Sequence, residues 1–211
     1  FPEIKNKYYD GMIITGAPVE TMPFEQVDYW QEIVDYLEWA KNHVFSTLHL
    51  CWGAQAALYH YYGINKIPLQ KKLFGVYSYE LTVKNNPLLR GFDDRYFIPQ
   101  SRHTVIDDAA VDASPELQVL SRSTERGINI VTNKNLRQIF VLGHFEYGRR
   151  TLEEEYRRDK QKGLPIAVPD NYYPYNIDTE QPMFNWCSYA HLFYSNWLNY
   201  VYQETPYDLR E

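Results

Sequence analysis

Blocks of apolar and polar positions along the chain predict an α/β fold. A continuous apolar run at 11–15, closed by a Gly-Ala-Pro turn, is typical of a buried parallel strand. Apolar residues then recur at helical spacing over 27–40, with acidic residues between them. Val44–Leu50 is β-branched and aromatic and predicts a second strand, and the helix-favouring stretch after it ends at Gly63. This alternation indicates strands joined by right-handed helical crossovers.

The rest of the chain continues with strands and two further helices. Further strands are expected at 74–81, 128–131 and 138–142. Thr151, followed three residues later by Glu154, predicts a capping box for a helix that runs to about Lys162. Large apolar residues at 186–203 predict a closing helix. Since no repeat or linker divides the sequence, we expect one α/β domain over 1–211. The chain lacks an initiator Met and runs almost at once into a strand, so we expect an N-terminal portion of a longer protein to be missing.

Charge and composition exclude several classes of function. The 211 residues carry 21 Lys and Arg against 27 Asp and Glu, for a net charge of -6. A nucleic-acid partner is therefore not expected, because phosphate contacts need a basic face. No apolar run approaches the ~20 residues that span a bilayer, so no membrane partner is expected. With two cysteines in all, a disulfide framework is excluded, which favours a reducing, cytoplasmic location.

Cys51 stands where the second predicted strand meets the second predicted helix. A helix N-terminus favours a thiolate over a thiol. A strand–nucleophile–helix turn also aims the backbone N–H of Trp52 at the place where an oxyanion would form, as an oxyanion hole requires. Gly53 permits the close approach that such a turn needs. Taken alone, Cys51 is equally well explained as a buried structural cysteine.

His144 and Glu146 follow the last predicted strand, in the segment Gly-His-Phe-Glu. Residues two apart on an extended chain face the same side, so the carboxylate of Glu146 can orient the imidazole of His144. Together with Cys51 they supply a thiol nucleophile, a base and a group that orients the base. All three stand at the carboxyl ends of predicted strands, where ligands of α/β sheets gather. We therefore expect cysteine-dependent catalysis.

Other polar residues carry weaker signals. His43 and His49 have no second pair of ligands at metal spacing, so no metal site is expected. By composition alone, Lys72 and the charged side chains of 153–158 are typical of a solvated surface. Cys187 lies among aromatic residues of the closing helix, where packing is its simplest role.

Five segments spread over the whole chain together resemble the homoserine O-acyltransferases. They are YDGMIITGAP at 9–18, STLHLCWGAQA at 46–56, PQSR at 99–102, GHFEY at 143–147 and NWLNY at 196–200. The resemblance implies a fold like that of class I glutamine amidotransferases. This is a flavodoxin-like three-layer α/β sandwich with a mostly parallel sheet flanked by helices.

The resemblance also implies a role for each matched residue. Cys51 matches the nucleophile that carries the acyl thioester, His144 the proton acceptor and Glu146 its partner. The positions that match substrate-binding residues are Lys72, Ser101, Arg158 and Glu155. The implied reaction transfers acetyl from acetyl-CoA to L-homoserine in methionine biosynthesis, with acetyl-CoA (or succinyl-CoA) as co-substrate and no separate cofactor. A homodimer is expected at the level of the family.

Glu20 bears on the acyl donor. In this family a Glu just after the Thr-Gly-Ala-Pro-x turn accompanies acetyl-CoA, and a Gly there accompanies succinyl-CoA. A second carboxylate at Glu20 would repel the one that ends a succinyl group. A Glu in the first turn of a helix, stabilised by the helix dipole, is the alternative explanation of this residue.

Two other functions remain open alongside acetyl transfer. An O-succinyltransferase would use the same residues with another donor. A cysteine-dependent glutaminase or amidohydrolase would use them with water, although His49 stands two residues before the nucleophile, where an amidotransferase has Gly. A non-catalytic binding domain that keeps the fold but not the reaction is a third class.

Overall fold

A single curled sheet organises the molecule. The computed structural model describes residues 3–206. Within them the strands are β1 (Tyr9–Ile14), β2 (Val44–Leu50), β3 (Lys66–Leu81), β4 (Arg95–Ile106), β5 (Leu117–Ser123), β6 (Gly127–Asn133) and β7 (Gln138–Val141). They pair in the order β1-β2-β7-β6-β5-β3-β4. The two strands that carry the predicted catalytic residues, β2 and β7, are neighbours near one end of this order.

The sheet is parallel on one side only. β1, β2 and β7 run parallel, whereas every pair from β7 through β6, β5 and β3 to β4 is antiparallel. The α/β class is confirmed, but the prediction of a mostly parallel sheet is wrong for this half. The reason is that β3 to β6 are joined by hairpins or short connections, which reverse the chain instead of returning it through a long helical crossover.

Helices cover both faces of the sheet. They are α1 (Trp30–His43), α2 (Trp52–Tyr62), α3 (Asp108–Ala113), α4 (Thr151–Gln161) and α5 (Cys187–Glu204). Alternate residues of β7 point to opposite faces: Phe140 packs in the cluster that includes residues of α1 and α2, and Ile139 packs in the cluster of α5. This gives the three layers of the expected sandwich. None of the helices within residues 3–206 is long and apolar enough to cross a membrane.

The structure changes several predicted elements. Thr151 is the first residue of α4 and not its cap; Arg150 takes the cap position, and no side chain caps the helix there. The capping-box prediction is therefore wrong, although the helix exists. β3 is twice as long as the strand predicted at 74–81. β4, β5 and α3 were not predicted.

Candidate active site

Cys51 occupies a sharp turn between β2 and α2. Its backbone has φ +48° and ψ −117°, a combination that residues with a side chain rarely adopt. The Cys51 N–H donates to the carbonyl of Val141 at 2.8 Å, which ties the turn to the end of β7. The side chain is buried, with 7 % of the residue exposed. The turn thus presents the thiol at the carboxyl end of the parallel strands, as expected from the sequence.

Two glycines allow this turn to pack closely against the end of β1. A Cβ on Gly53 would lie 2.7 Å from the carbonyl oxygen of Ile14, so only glycine lets α2 start there. A Cβ on Gly16 would lie 3.2 Å from Cys51 Cβ and 3.6 Å from the backbone nitrogen of Trp52. The turn after β1 therefore borders the Trp52 N–H. This is the arrangement an oxyanion hole needs, with backbone donors beside the nucleophile.

His144 and Glu146 form the expected pair directly after β7. Nδ1 of His144 donates to Oε1 of Glu146 at 2.6 Å, which leaves Nε2 as the reactive nitrogen. Nε2 is buried and has no hydrogen-bond partner within residues 3–206. Burial alone would lower the pKa of His144. The interaction with a negatively charged Cys51 and the hydrogen bond with Glu146 outweigh burial and raise the pKa to about 10.

Tyr147 is a site residue that the analysis of the sequence missed. Its ring stacks on the His144 imidazole with centroids 4.1 Å apart and planes 15° apart. Burial, followed by the charge of Glu155, raises the pKa of its hydroxyl, so Tyr147 stays neutral at physiological pH. The Tyr147 ring therefore packs on the face of the imidazole, and Glu146 accepts a hydrogen bond from Nδ1 at its edge. The only signal in the sequence was the position of Tyr147 beside the His-Phe-Glu segment.

Lys72, Ser101 and Glu155 meet in the same place. Glu155 Oε1 accepts from Lys72 Nζ at 2.5 Å and from Ser101 Oγ at 2.7 Å. Both partners lie on the β3–β4 hairpin, and Glu155 lies on α4. The side chains of Lys72 and Glu155 are 18 % and 15 % exposed, so neither is the solvated surface charge that composition suggested. Their position in the cavity agrees with the family resemblance, whereas the pattern of charges predicted an exposed surface.

Glu20 and Arg158 stand at the rim of the site. Burial raises the pKa of Glu20, opposed by the backbone N–H of His103 and by nearby positive charges. Arg158 Nε donates to Asp159 Oδ1 at 2.7 Å, and within residues 3–206 the two terminal nitrogens of its guanidinium make no hydrogen bond. Neither His103 nor Asp159 was singled out from the sequence.

One cavity of about 520 Å³ joins these residues. Its lining includes every predicted catalytic and substrate-binding side chain, together with Glu20 and the turn after β1; only Trp52, whose role is a backbone one, is not part of the wall. The residues it brings together are Cys51, His144, Glu146, Lys72, Ser101, Glu155, Arg158 and Glu20. Within residues 3–206 no three His, Cys, Asp or Glu side chains stand close enough to hold a metal ion. The arrangement is suited to nucleophilic chemistry on a small polar substrate.

Comparison with known proteins identifies relatives over the whole chain. The family model described as homoserine O-succinyltransferase matches residues 1–207. A homoserine O-acetyltransferase of Agathobacter rectalis is 54% identical over 209 residues, which cover 99% of this chain and 67% of the relative. One from Lactococcus lactis subsp. lactis is 53% identical over 98% of this chain and 65% of its own. The chain thus spans about two thirds of the length of these relatives.

Solved structures agree on the fold. A glutamine amidotransferase from Methylobacillus flagellatus superposes with a TM-score of 0.64, over 90% of this chain and 76% of its own, at 13% identity. A glutamine amidotransferase from Thermotoga maritima gives a TM-score of 0.58 over 71% of this chain and 63% of its own, at 17% identity. At such low identity these structures speak for the fold alone, and they confirm the glutamine amidotransferase-like class.

Proposed function

The chain belongs to the homoserine O-succinyltransferase family, and from this premise we propose that it transfers acetyl from acetyl-CoA to the hydroxyl of L-homoserine through a thioester on Cys51. The observation that carries the proposal is the single cavity in which Cys51, His144 and Glu146 meet a cluster of charged side chains. Relatives more than half identical to this chain are named homoserine O-acetyltransferase, which supports acetyl as the acyl group.

The first half of the reaction loads the enzyme. The Cys51 thiolate attacks the carbonyl carbon of acetyl-CoA, and the oxyanion accepts from the Trp52 N–H and from an N–H of the turn after β1. When the tetrahedral intermediate collapses, the bond to the CoA sulfur breaks. The His144 imidazolium gives its proton to that sulfur, so CoA leaves as the thiol. The acetyl group stays on Cys51.

The second half transfers the acetyl group to the acceptor. Nε2 of His144 removes the proton of the homoserine γ-hydroxyl as the oxygen attacks the Cys51 thioester. Glu146 keeps the imidazole oriented and stabilises its positive charge. General-base help of this kind is worth about 10²–10⁴-fold in rate. Collapse of the second intermediate restores the thiolate beside the imidazolium.

Charged anchors hold the small acceptor. Homoserine has almost no apolar surface to bury, so its carboxylate and ammonium must provide the orientation. The free terminal nitrogens of Arg158 fit a carboxylate as a planar fork. Lys72, Ser101 and Glu155 form a second polar contact surface in the cavity, with one Glu155 oxygen already engaged. The single domain over 1–211, the cytoplasmic location and the homodimer stay predictions.

Intact mass spectrometry tests the proposal. Incubation with acetyl-CoA alone should add one acetyl mass to the protein, located on Cys51 by peptide mapping, and homoserine should then remove it. Cys51→Ser and His144→Ala should each fold and show no thioester, because nucleophile and base act as one unit. Cys187→Ser is the matched control and should load normally. Ammonia release from glutamine without any acyl adduct would instead establish a glutaminase. If neither an acyl adduct nor ammonia were detected, the chain would be a non-catalytic binding domain.

A further inference from the structure

A chain of buried polar side chains runs beside the catalytic cavity. Its members come from α2, β4, β5 and β6, and each is at most 2 % exposed. They are Gln55, Tyr96, Gln100, Arg102, Thr104, Ser121 and Asn129. Gln55, Gln100 and Arg102 lie in segments that carry the family resemblance, but none of the seven was given a role from the sequence, and none lines the cavity. Buried polar groups of this kind are stable only when they are paired, so the chain fixes the elements it joins.

The chain is continuous from α2 to β6. Thr104 Oγ1 donates to Gln55 Oε1 at 3.0 Å, and the Thr104 carbonyl accepts from Arg102 Nη1 at 3.4 Å. Arg102 Nε donates to Gln100 Oε1 at 3.0 Å, and Gln100 Nε2 donates to Asn129 Oδ1 at 2.9 Å. Gln55 lies four residues after the nucleophile, on the first turn and a half of α2. One end of the chain is therefore attached to the helix that presents Cys51.

The other end reaches the segment that carries His144. The Asn129 carbonyl accepts from the Leu142 N–H at 2.8 Å, and the Pro99 carbonyl accepts from the His144 N–H at 3.0 Å. Between these two bonds, a Cβ on Gly143 would lie 2.7 Å from Gln100 Nε2. The Gln100 amide thus packs directly against the backbone of the residue before His144, with no room for either to shift.

We propose that Gln100 is a positioning residue, which holds the His144 segment at a fixed distance from Cys51 by joining it through β4 to α2. The proposal rests on the proposed function for its consequence in catalysis. Its physical content is the spacing of nucleophile and base, for which an error of about 1 Å can slow a reaction about a hundredfold. Because Gln100 touches neither substrate nor reacting atoms, it acts only through the backbone of 142–144.

Gln100→Met and Tyr96→Phe form a matched pair of variants. Gln100→Met keeps the length of the side chain and removes its bonds to Arg102 and Asn129. Tyr96→Phe also removes two bonds of the same chain, to Asn129 and Ser121, but leaves both bonds of Gln100 and its contact with Gly143 in place. Both variants should lower the Tm. Only Gln100→Met should disturb the spacing of Cys51 and His144.

The readout is the rate of Cys51 acetylation in a single turnover, followed by mass against acetyl-CoA concentration. We expect Gln100→Met to lower the limiting rate about 10- to 100-fold, with the half-saturating acetyl-CoA concentration changed less than threefold. Tyr96→Phe should keep the limiting rate within threefold. Equal rates in the two variants at equal loss of Tm would overturn the proposal, since Gln100 would then serve stability alone.

Alkylation of Cys51 by iodoacetamide separates this inference from the proposed function. The reaction needs the thiolate beside the His144 imidazolium but no acyl donor. If wild type accepts no acetyl group, the proposed function fails, and slower alkylation of Gln100→Met than of Tyr96→Phe still supports the positioning role. Should Gln100→Met not fold, Thr104→Val removes only the hydroxyl bond to Gln55 and should slow both reactions about tenfold. Unchanged rates in that variant would also overturn the proposal.

Discussion

At the scale of single residues, we predict that Glu20 selects the acyl group that the cavity accepts. Its carboxylate faces the cavity together with the turn after β1. A succinyl group would bring a second carboxylate to within about 5 Å, which at an effective dielectric constant near 20 costs about 3 kcal/mol, or a hundredfold in preference. The positive charges of Lys72 and Arg102 nearby reduce this repulsion without removing it.

Glu20→Gly should therefore shift the ratio of kcat/KM toward succinyl-CoA by about tenfold or more, with acetyl transfer retained. The measurement is kcat/KM for both donors in wild type and variant, at low and high salt. Glu25→Gly, which changes an exposed carboxylate outside the cavity, is the control. The structure places Glu20 in a turn, ten residues before α1 begins at Trp30, so the alternative of a helix-start Glu is wrong. A wild type that prefers succinyl-CoA, or an unaltered ratio in the variant, would show that Glu20 has no part in the choice of donor.

The structure brings together in one cavity the residues whose predicted chemistry is local in sequence. Cys51, His144 and Glu146 follow the ends of apolar strands, a position that can be recognised without knowing the fold. Tyr147 could not be assigned in that way, because its contact with the imidazole depends on how the chain turns after β7. Lys72 gave a weaker signal still, because a lysine that bonds a partly buried glutamate 83 residues later has the same local pattern as a surface lysine.

At the scale of elements, the start of α2 depends on a glycine. The backbone carbonyls of Ile14 and Thr15 would lie 2.7 and 2.8 Å from a Cβ on Gly53, and backbone cannot move aside as a flexible side chain can. Gly53→Ala should thus push α2 away from β1, destabilise the protein by about 1–3 kcal/mol and abolish acylation of Cys51. Urea unfolding and the acetylation assay measure the two effects.

Gly148→Ala is the control for that variant. A Cβ there would lie 3.7 Å from Thr151 Oγ1, an ordinary contact, and should change neither the free energy of unfolding nor the rate. If Gly53→Ala behaved in the same way, the close approach of α2 and β1 would have no part in forming the site.

The elements that sequence patterns missed share a physical cause. β4 contains Pro99, which lacks the N–H that a central strand needs, and the pattern therefore argued against a strand. The structure resolves this because β4 is the last strand of the sheet order, where a missing donor is tolerated. Its inward positions Gln100, Arg102 and Thr104 are polar, so the alternation of apolar and polar residues disappears as well. The buried polar side chains of β4 therefore removed the pattern by which a strand is recognised in the sequence.

At the scale of the whole molecule, stability should depend on a histidine outside the cavity. His49 is fully buried in β2, its ring stacked on Phe140, with Nδ1 donating to the carbonyl of Ile139 at 3.0 Å. Burial, opposed by the bond to Ile139, lowers its pKa to about 4. Between pH 6.5 and 4 the His49 imidazole is protonated in the unfolded chain but stays neutral in the folded protein. The free energy of unfolding therefore decreases as the pH falls from 6.5 through 4.

This loss should amount to about 3 kcal/mol in the free energy of unfolding. His49→Gln should remove it, so that the difference in stability between wild type and variant changes by that amount over the same range of pH. Urea unfolding at half-unit intervals from pH 7 to 4 gives the profile. His191→Gln, an exposed histidine of α5, should keep the wild-type profile. Parallel profiles for wild type and His49→Gln would show that His49 does not titrate in this range.

The order of strands in the sheet could be predicted from the sequence only in part. Strand, helix, strand and helix at the start of the chain determine the parallel half through the handedness of crossovers. The antiparallel half follows from hairpins whose pairing partners the local pattern does not specify. The cavity lies between these halves, with Cys51 from one and Ser101 from the other, and only the curl of the sheet brings them together.

The backbone angle of Cys51 has a consequence for how this protein can be made more stable. With φ at +48°, any side chain at this position holds the fold under strain. Removing the side chain should release about 1–3 kcal/mol, so Cys51→Gly should unfold at higher urea than Cys51→Ala, the reverse of the usual order of these residues. Selection of random variants for thermal stability alone should then recover glycine at position 51. Because that change removes the nucleophile, the most stable variants should be inactive.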